Sequence, residues 1–233
     1  MLWLGVGVVV VVMGEAVERR WLLVCGGSMV ASTLVGLLAL VLAVALYASS
    51  PIMPVYPKFL PFGLTFPCIN VGYSPAWQYI SELGMGPTAP IFNAGMIVAG
   101  LLALPAFAVA RRVIGGSLVA TLGVLLGLAG CLCLVGVGVF PMSPAFFITN
   151  PHPLVSIGFF SGMSLSATLI GYAMTKNPMF SRVHGWLGIA VLVVGVILGV
   201  TGDPLPEWAA AVAIIAWFST LGFWLLAKAF RKT

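Results

Sequence analysis

"WLLVCGGSMVASTLVGLLALVLAVALYAS" occupies Trp21–Ser49 and holds no charged side chain. As a helix rising 1.5 Å per residue it covers about 44 Å, more than the roughly 30 Å of hydrocarbon in a bilayer. Arg19 and Arg20 stand immediately before it. Within lipid, every backbone N–H and C=O needs a partner inside its own segment or a closed barrel. An uncharged run of this length with a basic flank therefore reads as a membrane-crossing helix.

Working outward, five further runs are long enough to cross: Pro90–Ala110, Ser117–Phe140, Pro153–Met174, Val183–Thr201 and Trp208–Ala229. The whole chain agrees with them. Only 6% of its 233 residues are charged and 61% are hydrophobic, where soluble domains carry about a quarter charged. The mean hydropathy is +1.18. No polar block is long enough to fold as a separate soluble domain. The fold class expected is all-α, a polytopic transmembrane bundle of six spans.

The basic residues orient it. Arg19, Arg20, Arg111, Arg112, Lys176, Arg182, Lys228, Arg231 and Lys232 fall on one side of a six-span arrangement, leaving Lys58 on the other. The positive-inside rule then puts both termini in the cytoplasm and the chain in the cell membrane. It also accounts for the net charge of +5 without a nucleic-acid partner. Residues 1–14, "MLWLGVGVVVVVMG", reach only about 20 Å as a helix, and they lack the features of a signal peptide. They make either a seventh span or, the preferred reading, a helix packed on the membrane or a partner. The chain divides into this segment with its basic turn, residues 1–20, and a six-helix domain, 21–233, with an outer cap loop at 50–89.

Cys25, Cys68, Cys131 and Cys133 show no metal spacing, and a separation of two on a helix turns Cys131 and Cys133 to nearly opposite faces. They are expected to be inert packing residues. His152 and His184 belong to opposite membrane faces, so no shared metal or haem is expected, and no cofactor. Gly123-x-x-x-Gly127, Gly158-x-x-x-Gly162 and Gly195-x-x-x-Gly199 place small residues on helix faces, where they let backbones approach. Pro105 should kink the second span.

The polar chemistry collects at the outer end. The loop Pro51–Ala89 contains seven prolines, and its Tyr56, Phe59, Phe62, Phe66, Tyr73 and Trp77 suit headgroup depth over the bundle mouth. Its last part, "GYSPAWQYISELGMGPTAPIFNAG" (Gly72–Gly95), carries Glu82 among aromatics. His152 opens the fourth span in "NPHPL", and Asp203 and Glu207 lie in "TGDPLPEW". Ser81, Asn93 and Asn150 share that depth.

Two readings follow. Glu82, His152 and Asp203 are candidate acid/base residues, with Ser81 as nucleophile. Alternatively Tyr73, Glu82, Asn93, His152, Asp203 and Glu207 form a structural polar network. Asp203 before Pro204 forms turns, and Glu207 suits the first turn of a helix. A lone carboxylate among aromatics costs several kcal/mol. Tyr73–Gly84 is therefore expected to fold into the bundle mouth, with His152 the favoured partner of Glu82. Gly84 and Gly86 are free to adopt positive φ at the turn.

"YSPAWQYISELGMGPTAPIFNAGMIVAG", "GVFP" and "HPLVSIGFFSG" together resemble the prokaryotic membrane family called domain of unknown function 998. Its pattern runs aromatic-Ser-Pro, Ile-Ser-Glu/Asp-Leu-Gly, Asn with glycines in the next span, then a His opening a later span. The chain is more distantly similar to the DRAM-type six-span proteins. The resemblance covers residues 20–230 and implies a six-helix bundle; it implies no catalytic activity.

Three functions compete. The preferred one is non-catalytic: an accessory subunit of a larger membrane complex, or a lipid-contacting stabiliser. Membrane lipids are then the partners, with other subunits or further copies of the chain. The second is a membrane-embedded hydrolase or transferase at the outer face, for which no nucleophile motif or metal-ligand set stands. The third is a small transporter, although the spans offer mainly Ser and Thr, such as Ser161, Ser164, Ser166 and Thr168, at midplane depth, where transport pathways need polar or ionisable groups.

Overall fold

A computed structural model shows a bundle of six long helices. The structure describes residues 2–47, 58–59, 65–66, 73–76, 78–142 and 151–231, with side chains over 18–47, 73–76, 78–142 and 151–231. The side chains of Tyr56, Lys58, Phe59, Phe62, Phe66, Cys68, Trp77, Asn150 and Lys232 lie outside the described residues.

The helices are α1 (Leu2–Tyr47), α2 (Ala89–Ile114), α3 (Leu118–Val139), α4 (His152–Thr175), α5 (Arg182–Thr201) and α6 (Pro204–Arg231). All six contain a stretch long and apolar enough to cross a membrane. Each packs against the helix before and after it, and α6 returns to α1, closing a ring. α1 runs without a break from the N-terminal apolar segment into the first span, so Glu15–Arg20 is continuous helix. Pro105 lies on an exposed face inside α2 and does not interrupt it. In the long loop, Lys58–Phe59 pairs antiparallel with Thr65–Phe66, a single short rung.

Two buried clusters fill the ring. The larger, around Phe107, Trp217 and Phe218, occupies the half toward the basic end. The smaller joins Ala43, Tyr47, Phe92 and Met96 to Ile80 and Leu83 of the cap. Leucines and valines such as Leu38, Val41 and Val200 stay exposed. On membrane-length helices they are the lipid-facing surface.

At the basic end, Arg112 lies over the Trp21 ring at 4.6 Å. Lys228 Nζ donates to the Met179 carbonyl at 2.9 Å and lies over Trp224 at 5.0 Å.

Glycines set how closely the helices meet. A Cβ on Gly123 would sit 2.9 Å from Ile170, and one on Gly158 2.6 Å from Cys133 Sγ. A Cβ on Gly127 would overlap the Phe107 ring. Two of the three small-residue pairs in the sequence thus bring α3 against α4 and α2. The third serves only in part. A Cβ on Gly195 would fall 2.5 Å from Ser164 Oγ on α4, while nothing lies within 4 Å of one on Gly199. α4 and α5 also meet through Gly171, Gly185 and Gly188, with a Cβ on Gly171 falling 2.5 Å from the Gly185 carbonyl.

These spacings separate two glycines of equal helix propensity. Gly127→Val is expected to cost about 1–3 kcal/mol through overpacking against Phe107. Gly27→Val, at a site with nothing within 4 Å, is expected to stay within about 1 kcal/mol of the parent. Thermal unfolding of the two variants in detergent checks this ordering; equal melting temperatures would contradict it.

Candidate functional site

The segment Tyr73–Thr88 closes the non-basic end of the bundle. It contains two turns of 3-10 helix, Ile80–Gly84 and Gly86–Thr88, which rest on α1, α2 and α6. Ile80 and Leu83 point inward and are buried, Leu83 completely. The expected fold-back into the bundle mouth is therefore present, and its cause is visible in the backbone. A 3-10 helix begins with free N–H groups, and burying them costs energy unless an acceptor is supplied.

Two carboxylates supply it. Glu82 Oε1 accepts from the Tyr79 N–H at 3.0 Å, and Glu207 Oε2 accepts from the Ile80 N–H at 2.7 Å. Glu207 starts from the first turn of α6 and is 7% exposed. One bond between cap and bundle is thus made by Glu207, which the sequence reading assigned to the first turn of its own helix or to a structural polar network. The ring of His152 lies elsewhere. Its Nδ1 is 2.7 Å from the Phe140 carbonyl, and its Nε2 is 3.2 Å from Ser156 Oγ. A carbonyl only accepts, so Nδ1 carries the proton and Nε2 accepts from the Ser156 hydroxyl.

The remaining cap contacts extend from Tyr73. Its hydroxyl donates to the Tyr79 carbonyl at 2.9 Å and accepts from Trp208 Nε1 at 2.8 Å. Its ring meets those of Tyr47 and Trp208 edge-on, at centroid distances of 5.3 and 5.8 Å. Gln78 Nε2 donates to the Tyr47 hydroxyl at 2.8 Å. The Tyr79 hydroxyl donates to the Gly202 carbonyl at 2.7 Å, tying the cap to the α5–α6 turn. Asn93 Nδ2 donates to the Gly84 carbonyl at 3.1 Å. Gly86 has the expected positive φ, at 65°. Gly84 is needed for space instead, since a Cβ there would fall 2.6 Å from Asn93 Oδ1.

Burial pushes the Tyr73 phenol well above its usual range, only partly offset by the Trp208 N–H, and the nearby Glu207 and Glu82 raise it further. Tyr79 is raised by burial and then by Glu207, Asp203 and Glu82. Both phenols stay neutral and act as donors. Ser81 reaches only Met142 Sδ, at 3.5 Å, and Asp203 is exposed beyond Gly202. No hydrogen bond joins Ser81 or Asp203 to His152 among the described residues. Nor do three or more of His, Cys, Asp and Glu gather to hold a metal there.

Residues 57–224 match the family described as "Protein of unknown function (DUF998)". The chain belongs to this family. No curated protein and no solved structure matches it. The family covers the cap and most of the helical bundle, and its description assigns no activity.

Beneath the cap lies a cavity of about 100 Å³. Its lining is mostly apolar, including Met96, Ala103, Phe159, Phe160, Met163 and Phe218, and its polar members are Ser32, Thr33, Ser81, Ser156 and Glu207. Sequence reasoning named Ser164 only as one of the midplane serines and did not single out Ser156. The spacing of Ser156, one helical turn after His152, is the signal that could have found it.

The cap bonds carry measurable consequences. Glu207→Ala is expected to lower stability by about 1–3 kcal/mol by orphaning the buried Ile80 N–H, and Glu207→Gln by less because the amide keeps an acceptor. Asp203→Asn should leave the melting temperature unchanged. A parent-like Glu207→Ala would contradict the cap lock. The phenols add a pH dependence. Their folded pKa values lie above the unfolded value near 10, so folded protein holds protons that unfolded chain has lost. Stability should therefore persist up to about pH 10 and fall as the pH rises further. Urea unfolding across pH 8–11 checks the sign.

Proposed function

We propose that this chain is a non-catalytic, lipid-contacting protein of the cell membrane, with both termini in the cytoplasm and the cap on the outer side. The carrying observation is how the cap's polar groups are used. Glu82, Glu207, Tyr73, Tyr79 and Asn93 are bonded to backbone or to one another, and the space they roof over is apolar. A site built for chemistry keeps polar groups converging on a reacting atom; here they close a greasy chamber. Membrane lipid is the ligand such a chamber meets. An accessory role in a larger complex fits the same surface, with the lipid-facing leucines of α1 as the area left for a partner.

One contact favours a second reading. Ser156 Oγ, His152 Nε2 and the Phe140 carbonyl line up as nucleophile, base and orienting group, the arrangement used in acyl transfer. Ser156 also lines the cavity. Under this reading the chain is a lipid-ester hydrolase or transferase, with Ser156 as the nucleophile in place of Ser81.

Purified chain, washed repeatedly in detergent, is expected to retain about one lipid per chain and to melt lower once stripped of it, as a bound ligand requires. A lipid-free parent with an unchanged melting temperature would overturn the first reading. Turnover of a fluorogenic lipid ester by the parent and its loss in Ser156→Ala would establish the second. For orientation, Lys58→Cys should react with an impermeant thiol reagent on intact cells and Lys232→Cys only after lysis, the four native cysteines having been replaced; the reverse pattern would invert the topology.

A further inference from the structure

α4 and α5 part company toward the cap. They are held together at the basic end by the Gly171, Gly185 and Gly188 contacts, where a Cβ on Gly188 would fall 2.5 Å from the Ala167 carbonyl. Above Gly195 no such contact continues, and Gly199 faces open space. α5 is accordingly the least covered span, 17% buried against 33% or more for the others. The result is a groove of about 490 Å³ running from Ser164 and Gly195 up to Tyr79 and Gly202. Its size is that of a small-molecule site. It shares Ser156, Phe160 and Glu207 with the cavity under the cap, so these side chains stand between the two.

Two observations specify what fits. Ser164 lines the groove, is 2% exposed, and its hydroxyl has no hydrogen-bond partner. Serines in helices ordinarily bond back to a carbonyl one turn earlier, as Ser161 does here to Ile157. An orphaned hydroxyl at this depth calls for a polar group on the ligand. At the mouth, Asp203 is exposed next to Gly202 and Glu207 lines the wall. Both side chains are acidic, and an exposed carboxylate suits a cationic headgroup. Gly195 and Gly202 are seven residues apart, about 10 Å along α5. That is the drop from a headgroup amine to the ester linkage of a glycerolipid.

We propose that this groove binds one glycerophospholipid with an ammonium-bearing headgroup of the phosphoethanolamine class. The ammonium lies at Asp203, an ester carbonyl accepts from Ser164, and one acyl chain enters the cavity past Phe160. The proposal rests on the lipid-contacting reading above and supplies its site and lipid class.

The test uses full-length chain, delipidated and mixed with equal amounts of dioleoyl phosphatidylethanolamine and dioleoyl phosphatidylglycerol, with bound lipid read by native mass spectrometry. The parent is expected to hold the ethanolamine lipid about tenfold better than the glycerol lipid. Gly199→Phe fills the groove from a site with free space, and should lose that retention about tenfold or more while melting like the parent. Gly27→Phe, equally unhindered but away from the groove, should bind as the parent does. Ser164→Ala should weaken retention severalfold without changing headgroup preference, and Asp203→Asn should reduce the preference. Equal retention of the two lipids, or undiminished retention by Gly199→Phe, overturns the groove site while lipid binding itself stands. A parent that retains neither lipid removes both the site and the reading beneath it.

Discussion

The bond from the Ile80 N–H to Glu207 is the constraint on which the outer half of the bundle depends. A 3-10 turn seated over hydrocarbon has to find acceptors for its first N–H groups, and the bilayer offers none. The carboxylate that meets this need comes from a different helix, 127 residues further on. It therefore fixes the cap, the position of α6 and the turn leading into α6 at the same time. Tyr73, held between Trp208 and the Tyr79 carbonyl, repeats the connection one step outward. Leu83 can be fully buried because these bonds hold its backbone in place.

The same economy governs the membrane interior. Lipid tails are as apolar as leucine, so the hydrophobic effect does not press spans together. Close contact has to come from shape. Between α3 and α4, and between α2 and α3, glycines let side chains and carbonyls of the neighbouring helix come within van der Waals range. Ser32 and Ser166 add interhelical bonds to the carbonyls of Ala99 and Gly123, at 2.8 and 2.7 Å. Where neither contact is made, as between α4 and α5 above Gly195, the helices stand apart.

The sequence disclosed the spans to within a few residues, because uncharged runs and basic flanks are local signals. α6 begins at Pro204 rather than Trp208, since Pro204 and Leu205 fit the first turn of a helix as readily as a loop. The cap's inward fold was legible from Glu82 lying among aromatics. Its partners were not, because the side chain that reaches Ile80 is decided by how α6 is rotated in the ring, a property of packing. Gly199 misleads for a related reason. A small-residue pair marks a face where approach is allowed, and whether a neighbour comes depends on the rest of the bundle. Ser164 was one of several midplane serines in the sequence, and only the structure distinguishes it, by a hydroxyl without a partner.

The uneven join between α4 and α5 makes α5 a lever. Its packed part against α4 ends at Gly195, where a Cβ would meet Ser164, and the arm beyond runs from Gly195 to Gly202, seven residues or about 10 Å. A tilt of about 10° there moves the far tip by about 2 Å. That tip is where the Tyr79 hydroxyl holds the Gly202 carbonyl, so a motion too small to disturb the packed end is read out as the making or breaking of one hydrogen bond at the cap.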